Sequence, residues 1–166
     1  MKKAGALVAV SSLPSAYGVG DFGPQAYEYI DILAQMKLKI WQVLPLNPLG
    51  YGNSPYQPYS SFAGDDIYIS VDKLVADGLL NQSDAVEFKS NATIVDYGAV
   101  RSHKTNMLQT AFANFMSNSQ LKAELDAFVA KTSWAYNYAV FVTFKKANQH
   151  KAWNLWPREY KNWIKD

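Results

Sequence analysis

The sequence predicts an α/β fold that starts with a strand–helix–strand unit and continues as a mainly helical region. Two hydrophobic runs, residues 4–11 and 39–46, flank an amphipathic stretch, and from residue 72 onward apolar residues recur at helical spacing. The chain has 166 residues, of which 49% are hydrophobic and 18% charged. This composition excludes general disorder, and the length suits one ordinary domain.

Three segments of the sequence predict the strand–helix–strand unit. Ala4–Ser11 predicts a buried strand. Pro24 suits the first position of a helix, where its missing N–H costs nothing, and the apolar spacing that follows predicts a helix over residues 24–36. Lys39–Leu46 predicts a second buried strand. Because two parallel strands do not make a complete sheet, the unit needs further strands.

The second half of the chain predicts helices. A short helix over Asp72–Asp77 is closed by Gly78, and a longer one lies near residues 98–117. Two more helices are marked by apolar residues near 121–129 and 134–145. The tail, Trp153–Asp166, is aromatic and basic, and we expect it not to complete the fold. The apolar face of the helix near 98–117 consists of Val100, Lys104, Leu108, Ala111 and Phe115.

Composition also excludes several function classes. The 16 basic and 14 acidic residues nearly cancel and form no basic stripe, so we expect no nucleic-acid partner. There is no cysteine, and His103 and His150 are far apart, so no metal site is expected. No run approaches 18 apolar residues, so no membrane-spanning helix is expected. The apolar start after Met1 imitates a short signal peptide, although a buried strand explains it as well.

The segment Gly50–Gly64, here called the tyrosine loop, follows the second predicted strand. In parallel α/β folds, loops at the carboxyl ends of strands carry the functional sites. Three tyrosines lie within nine residues of the loop, interleaved with Asn, Ser and Gln. Tyrosine rings stack on the apolar faces of sugars and offer a polar edge, so the loop favours carbohydrate binding. The alternative is a structural loop whose tyrosines pack on the protein's own core.

The carboxylates offer no obvious catalytic pair. Asp65 and Asp66 are adjacent, and in a strand they would point to opposite faces. Asp21 follows the first strand and is interpreted as a hydrogen-bonding residue of a loop or helix start. Glu124 and Asp126 are two positions apart on a predicted helix and so face different directions.

Seven motifs occur along the chain in a fixed order: Ser11–Pro14, Tyr17–Gly23, Trp41–Leu46, Gly50–Gln57, Val95–Tyr97, Tyr138–Phe141 and Trp153–Pro157. With these motifs the chain resembles the N-terminal part of the 4-α-glucanotransferases, also called amylomaltases or disproportionating enzymes, over essentially its whole length. It departs from the family at Asp65–Asp66, where the family often has Asn-Pro, and at Asn137, where the family has Asp.

The resemblance implies a (β/α)₈ barrel with helical inserted subdomains. Ala4–Ser11 and Ile40–Leu46 would then be the first two barrel strands, rather than a signal peptide followed by a strand. Residues 1–71 would form the first βαβ portion of the barrel with the glucan-binding loop, and residues 72–166 a helical insertion that is incomplete at its C-terminus. A complete barrel takes about 250 residues, so we expect the remainder of its own barrel as a partner.

The activity implied by the resemblance is the transfer of α-1,4-glucan segments to the 4-hydroxyl of glucose or another glucan. This retaining double displacement needs two carboxyl groups about 5–5.5 Å apart. In the family they follow later barrel strands, so no residue of this chain is assigned as catalytic, and we expect the isolated chain to be inactive. No cofactor is implied, and the implied location is cytoplasmic. The alternative function is a non-catalytic module that binds maltooligosaccharides.

Substrate contacts can be assigned by the resemblance. Ser54 and Tyr56 match family positions that bind substrate near the scissile bond. Tyr51 and Tyr97 match two tyrosines of a secondary glucan-binding site. The implied partners are α-1,4-glucans and maltooligosaccharides.

Overall fold

A parallel two-stranded sheet lies near the start of the chain. In the computed structural model, which describes residues 2–162, strand β1 (Gly5–Leu7) pairs with strand β2 (Ile40–Gln42). Ala6 lies opposite Trp41 in this register, and the Trp41 indole Nε1 donates to the carbonyl of Val8 at 2.9 Å. The predicted strand–helix–strand order is therefore present.

Both strands are shorter and more exposed than the hydrophobic runs predicted. The run Ala4–Ser11 leaves the ladder after β1 because Val10–Ser12 forms a 3₁₀ turn, in which the buried Val10 accepts from the amide of Leu13. Leu7 and Ile40 are 59% and 46% exposed. The prediction of buried strands was thus wrong, since the sheet has only these two strands within residues 2–162 and each is an edge.

Helix α1 (Pro24–Gln35) connects the two strands. It begins at the predicted Pro24, and its Ala26 and Leu33 are buried as expected. Ile30, which the periodicity also placed on the apolar face, is 49% exposed.

The helices after residue 70 follow the predicted order. The first two of them begin at polar caps, because the Ser70 hydroxyl accepts from the amide of Lys73 and the Asp96 carboxylate accepts from that of Ala99. The predicted apolar face of the longest helix is confirmed, since each of its members is buried or half-buried. The helices are α2 (Val71–Ala76), α3 (Tyr97–Ser117), α4 (Ser119–Lys131), α5 (Ala135–Ala147) and the short α6 (Arg158–Lys161).

The chain divides into two compact units, Met1–Lys122 and Ala123–Asp166. The first unit holds both strands and two apolar clusters. One cluster is Val10, Val19, Ile67, Tyr68 and Val100, and the other is Tyr17, Val71, Leu80 and Met107.

The second unit is held by aromatic contacts. The rings of Phe144 and Tyr160 meet edge to face with centroids 4.8 Å apart, and Phe141 packs against Trp156 at 5.6 Å. Trp156 is 5% exposed, and its indole donates to the carbonyl of Lys151. Residues 163–166 of the predicted tail lie outside the described residues. None of the helices found between residues 2 and 162 is long and apolar enough to cross a membrane.

Candidate functional site

All three tyrosines of the tyrosine loop are exposed, and Tyr51 and Tyr56 are the most exposed of them. Tyr51 is 89% exposed and Tyr56 is 70% exposed, while Ser54 between them is half-buried. The alternative interpretation, in which the loop tyrosines pack on the protein's own core, is therefore wrong for these two side chains. Their ring faces are available to a ligand.

Consecutive tight turns shape the tip of the loop, defined here as residues 51–56. The amide of Ser54 donates to the carbonyl of Tyr51 at 3.4 Å, and the amide of Gln57 donates to the carbonyl of Ser54 at 3.3 Å. Gly52 adopts a left-handed conformation with φ of 66°, which glycine accepts without steric cost.

Ser54 and Tyr56 are brought together in one of these turns. The Tyr56 amide donates to the Ser54 side-chain oxygen at 3.3 Å. This bond uses the hydroxyl as an acceptor, so its own proton can still be donated. A ring face, a phenolic hydroxyl and a serine hydroxyl therefore share one short segment.

Tyr97 lies on helix α3 rather than on the tyrosine loop, and it is less exposed than the loop tyrosines Tyr51 and Tyr56. It is the first residue of α3, is half-buried, and packs against the apolar cluster that contains Val100 and Tyr68. Burial raises the pKa of the Tyr68 phenol, and the nearby Tyr97 adds to this effect. Tyr51 and Tyr97 thus lie on separate elements, one on the exposed loop tip and one at the helix start.

A polar groove of about 310 Å³ borders the residue that precedes Tyr97. Its walls come from residues 11–19 and 88–96, and Asp96 lines it. Its hydroxyl groups, which suit a polyhydroxylated ligand, belong to Ser11, Ser12, Ser15, Ser90 and Thr93.

Backbone and side-chain hydrogen bonds close the base of the loop, a term used here for residues 46–50 and 57–65, which include the residues that flank the loop on both sides. At the junction with the tip, a Cβ added to Gly50 would lie 1.8 Å from the carbonyl oxygen of Gln57, so only glycine fits there. The closing bonds are Asp65 N–H to Leu46 O at 2.8 Å, Asn47 Nδ2 to Ala63 O at 3.0 Å, Leu49 N–H to Asp65 Oδ2 at 3.0 Å, and Tyr59 N–H to Pro48 O at 3.3 Å.

Asp65 links the loop base to helix α3. Its side chain is 1% exposed and accepts two bonds from the Arg101 guanidinium, at 2.8 Å from Nη1 and 2.5 Å from Nη2. It also accepts from the backbone amides of Leu49 and Ile67. Burial alone would raise the pKa of Asp65, but the bonds from Arg101 and the two amides outweigh it and hold that pKa below its usual value.

Asp66 also contacts Arg101, with 3.2 Å between Oδ1 and Nη1. The two aspartates lie at the start of a 3₁₀ turn, Asp66–Tyr68, whereas the sequence interpretation placed them on opposite faces of a strand. The reason is that Asp65 caps this turn by accepting from the Ile67 amide, which bends the chain out of an extended conformation.

A second buried ion pair joins α3 to the loop after β1. Lys104, 1% exposed, donates to Asp21 at 3.3 Å and to the carbonyls of Ile67 at 2.7 Å and Ile69 at 2.8 Å. Burial lowers the pKa of Lys104 and raises that of Asp21, with their mutual attraction opposing both shifts. Asp21 also accepts from the Gly23 amide at 2.9 Å just before α1, as its interpretation as a hydrogen-bonding residue predicted.

These contacts define what the site can do chemically. Both oxygens of Asp65 are occupied by cationic or amide donors, and Asp21 is buried against Lys104. Neither carboxylate is available as a nucleophile. Across residues 2–162 no group of three or more His, Asp or Glu side chains could hold a metal ion. The arrangement suits binding of a polar ligand with ring faces.

Sequence reasoning missed Arg101 and assigned no role to Lys104. One signal was present, because a lysine in the apolar stripe of α3 is a residue that needs a buried partner. Asp65 itself was visible as a departure from the family pattern. Its partner Arg101, 36 positions away, gave no local signal.

Comparison with known proteins gives a consistent result. A family model described as 4-alpha-glucanotransferase matches residues 8–166. The chain is 38% identical over 159 residues to a 4-alpha-glucanotransferase of Streptococcus pneumoniae, covering 94% of this chain and 31% of that protein. It is 37% identical over 157 residues to one from Thermus thermophilus, with 92% and 31% covered.

A solved structure is also similar. The amylomaltase from Streptococcus agalactiae, in complex with acarbose, matches with a TM-score of 0.89 and 31% identity, over 95% of this chain and 32% of that one. The chain therefore spans about a third of the length of the relatives it matches.

Proposed function

Because this chain belongs to the 4-alpha-glucanotransferase family, we propose that it forms the first part of an enzyme that transfers α-1,4-glucan segments between glucan chains. In this proposal β1 and β2 are the first two strands of a (β/α)₈ barrel. Residues 1–71 form the first portion of the barrel, and residues 72–166 form a helical insertion. The exposed edges of the two strands are where the rest of the barrel would pair.

The role proposed for this chain is to bind the glucan. The observation that carries this proposal is the exposed Tyr56 ring beside the Ser54 hydroxyl in one turn. The ring would stack on one glucose face while the hydroxyls bond to its edge. Tyr51 and Tyr97 would form a second contact with a longer glucan. The similar amylomaltase was solved with acarbose, which supports a ligand of the maltooligosaccharide type.

The nucleophile and the general acid/base are proposed to lie outside these 166 residues. A retaining mechanism needs two carboxyl groups facing the same bond. Asp65 and Asp21, the buried carboxylates of the site region, are occupied by Arg101 and Lys104. Membership of a transferase family favours this function over a non-catalytic binding module, and the proposed location is cytoplasmic, with no nucleic-acid partner.

The test is titration of the purified chain with maltoheptaose by isothermal calorimetry, together with a maltotriose disproportionation assay. We expect binding without formation of glucose and longer oligosaccharides. Replacing Tyr56 with Ala should weaken binding about tenfold, which corresponds to about 1.4 kcal/mol from a lost aromatic contact. Tyr27→Ala is the matched control, because Tyr27 is a 56% exposed tyrosine on α1.

Robust transfer by the chain, after controls for contaminating enzyme, would contradict the proposed division of labour. Equal affinities for the Tyr56→Ala and Tyr27→Ala proteins would contradict the proposed contact.

A further inference from the structure

The bidentate contact between Asp65 and Arg101 joins the two elements that carry the exposed and the half-buried tyrosines. Asp65 closes the base of the tyrosine loop, since its amide donates to the Leu46 carbonyl and its carboxylate accepts from the Leu49 amide. Arg101 lies on α3, four residues after Tyr97. Residues four apart lie on the same side of a helix, so the guanidinium and Tyr97 share one face of α3.

The geometry of this contact restricts movement more than an ordinary ion pair does. Two parallel N–H···O bonds fix the plane of the guanidinium against the plane of the carboxylate. The Asp65 side chain is buried, and Arg101 is about one third exposed, so the pair is largely shielded from salt. Arg101 also reaches Asp66, which anchors it to the following residue as well.

The tip of the loop, by contrast, keeps its own shape without this pair. Ser54 and Tyr56 are held by the bond between the Tyr56 amide and the Ser54 hydroxyl, and by the Gln57 amide on the Ser54 carbonyl. Losing the ion pair should therefore leave the short contact surface of Ser54 and Tyr56 intact. It should loosen only the position of that surface relative to α3.

We propose that Asp65 and Arg101 are positioning residues that hold the tyrosine loop at a fixed place relative to Tyr97, so that one long glucan contacts both. This inference rests on the proposed function. It predicts a selective effect, because two contacts on one ligand reinforce each other only when their spacing matches it. Binding of a long glucan then depends on the ion pair, and binding of a short one does not.

The experiment compares maltotriose with maltoheptaose as calorimetric ligands of the full chain. Arg101→Met and Asp65→Asn should each weaken maltoheptaose binding by about tenfold, because effective concentration is lost when the second contact is displaced. Maltotriose affinity should change by less than about twofold. The effects of the two substitutions should be less than additive, since both remove the bidentate contact, while Asp65→Asn also removes one acceptor of the Leu49 and Ile67 amides. Arg158→Met is the control, because it removes an exposed arginine of the second unit.

Arg101→Lys provides a variant that keeps the positive charge. A lysine cannot make the two parallel bonds, so the maltoheptaose affinity of this variant should still fall several-fold. If Arg101→Met does not fold, Arg101→Lys is the variant that tests the proposal. The far-ultraviolet circular dichroism of each variant establishes that it is folded.

The proposal is overturned if folded variants bind maltoheptaose as the unsubstituted chain does. It is also overturned if both glucans lose affinity equally, because that is the signature of general loosening. Failure of the proposed function looks different, since Tyr56→Ala would then leave both affinities unchanged.

Discussion

The tip and the base of the tyrosine loop belong to the same stretch of chain but are held in different ways. The tip is formed by tight turns, and Tyr51 and Tyr56 stand in solvent. The base is closed by hydrogen bonds and by Asp65, whose buried carboxylate binds Arg101 of α3. Within one loop, the exposed side chains and the buried contacts that support the fold are therefore separated. Substitutions at the tip should change binding with little effect on stability. Substitutions at the base should change stability and, through the position of the tip, the binding of long glucans.

The largest loss of stability is expected at Lys104 of α3, which binds Asp21 and the backbone just after the loop base. Replacing it with Met leaves the buried Asp21 carboxylate and two backbone carbonyls without their cationic donor. Removing one partner of a buried pair costs roughly 3–5 kcal/mol, which urea unfolding at pH 7 measures. The exposed Lys122→Met serves as control. Adding Asp21→Asn should recover part of the loss, and a strictly additive double variant would contradict the pairing.

At the base itself, Asp65 should give stability a specific dependence on pH. Its pKa is lowered in the folded chain, so its contribution is present above the unfolded value near 4 and is lost as pH falls through the folded value. Asp65→Asn should destabilise the chain by roughly 2–4 kcal/mol at pH 7.

The pH test compares unfolding free energies of the two proteins between pH 2 and pH 7. The difference between them should be constant above about pH 5 and shrink toward acid pH. The exposed Asp31→Asn provides the reference for an ordinary surface carboxylate. A difference that stays constant down to pH 2 would show that Asp65 does not act through its charge.

A smaller effect is expected at the junction of base and tip. A Cβ on Gly50 would lie 1.8 Å from the Gln57 carbonyl, so Gly50→Ala must move backbone and should cost roughly 1–3 kcal/mol in thermal or urea unfolding. Gly64→Ala, where an added Cβ meets nothing within 4 Å, should be nearly neutral. Equal stabilities of the two variants would contradict the close crossing.

The smallest effect on stability is expected at the tip. Tyr51→Ala removes a ring that is 89% exposed and should change the free energy of unfolding by less than about 0.5 kcal/mol. Urea unfolding of the Tyr51→Ala chain and of the unsubstituted chain measures this difference in free energy. A loss above about 1 kcal/mol would show that the tip also supports the fold.

Local patterns predicted the helices well and the strands poorly. Pro24 and the apolar spacing after it were enough for α1, and the stripe through Val100 and Lys104 was enough for α3, because each pattern reflects a helix side that carries the buried residues. The hydrophobic runs overestimated β1 and β2. A run of apolar residues predicts burial but not strand pairing. In Ala4–Ser11 the most buried residue, Val10, lies in a 3₁₀ turn rather than in the strand.

The candidate site divides in the same way. The tyrosine loop was visible from its composition and its resemblance to a family, and Tyr51 and Tyr56 are accessible there. The ion pair that supports the loop could not be predicted from the sequence. The contact of Asp65 with Arg101 spans 36 positions, and it depends on how α3 lies against the loop base, which no local pattern records.

The most direct test of the central claim is the maltoheptaose affinity of the Tyr56→Ala chain beside that of Tyr27→Ala, with unfolding free energies measured on the same samples. Tyr56→Ala should weaken binding about tenfold while the free energy of unfolding stays within about 0.5 kcal/mol of that of the unsubstituted chain. Tyr27→Ala should leave the affinity unchanged. Unaltered affinity in Tyr56→Ala, or a loss of binding that only accompanies unfolding, would contradict the assignment of the loop tip as a glucan-binding surface.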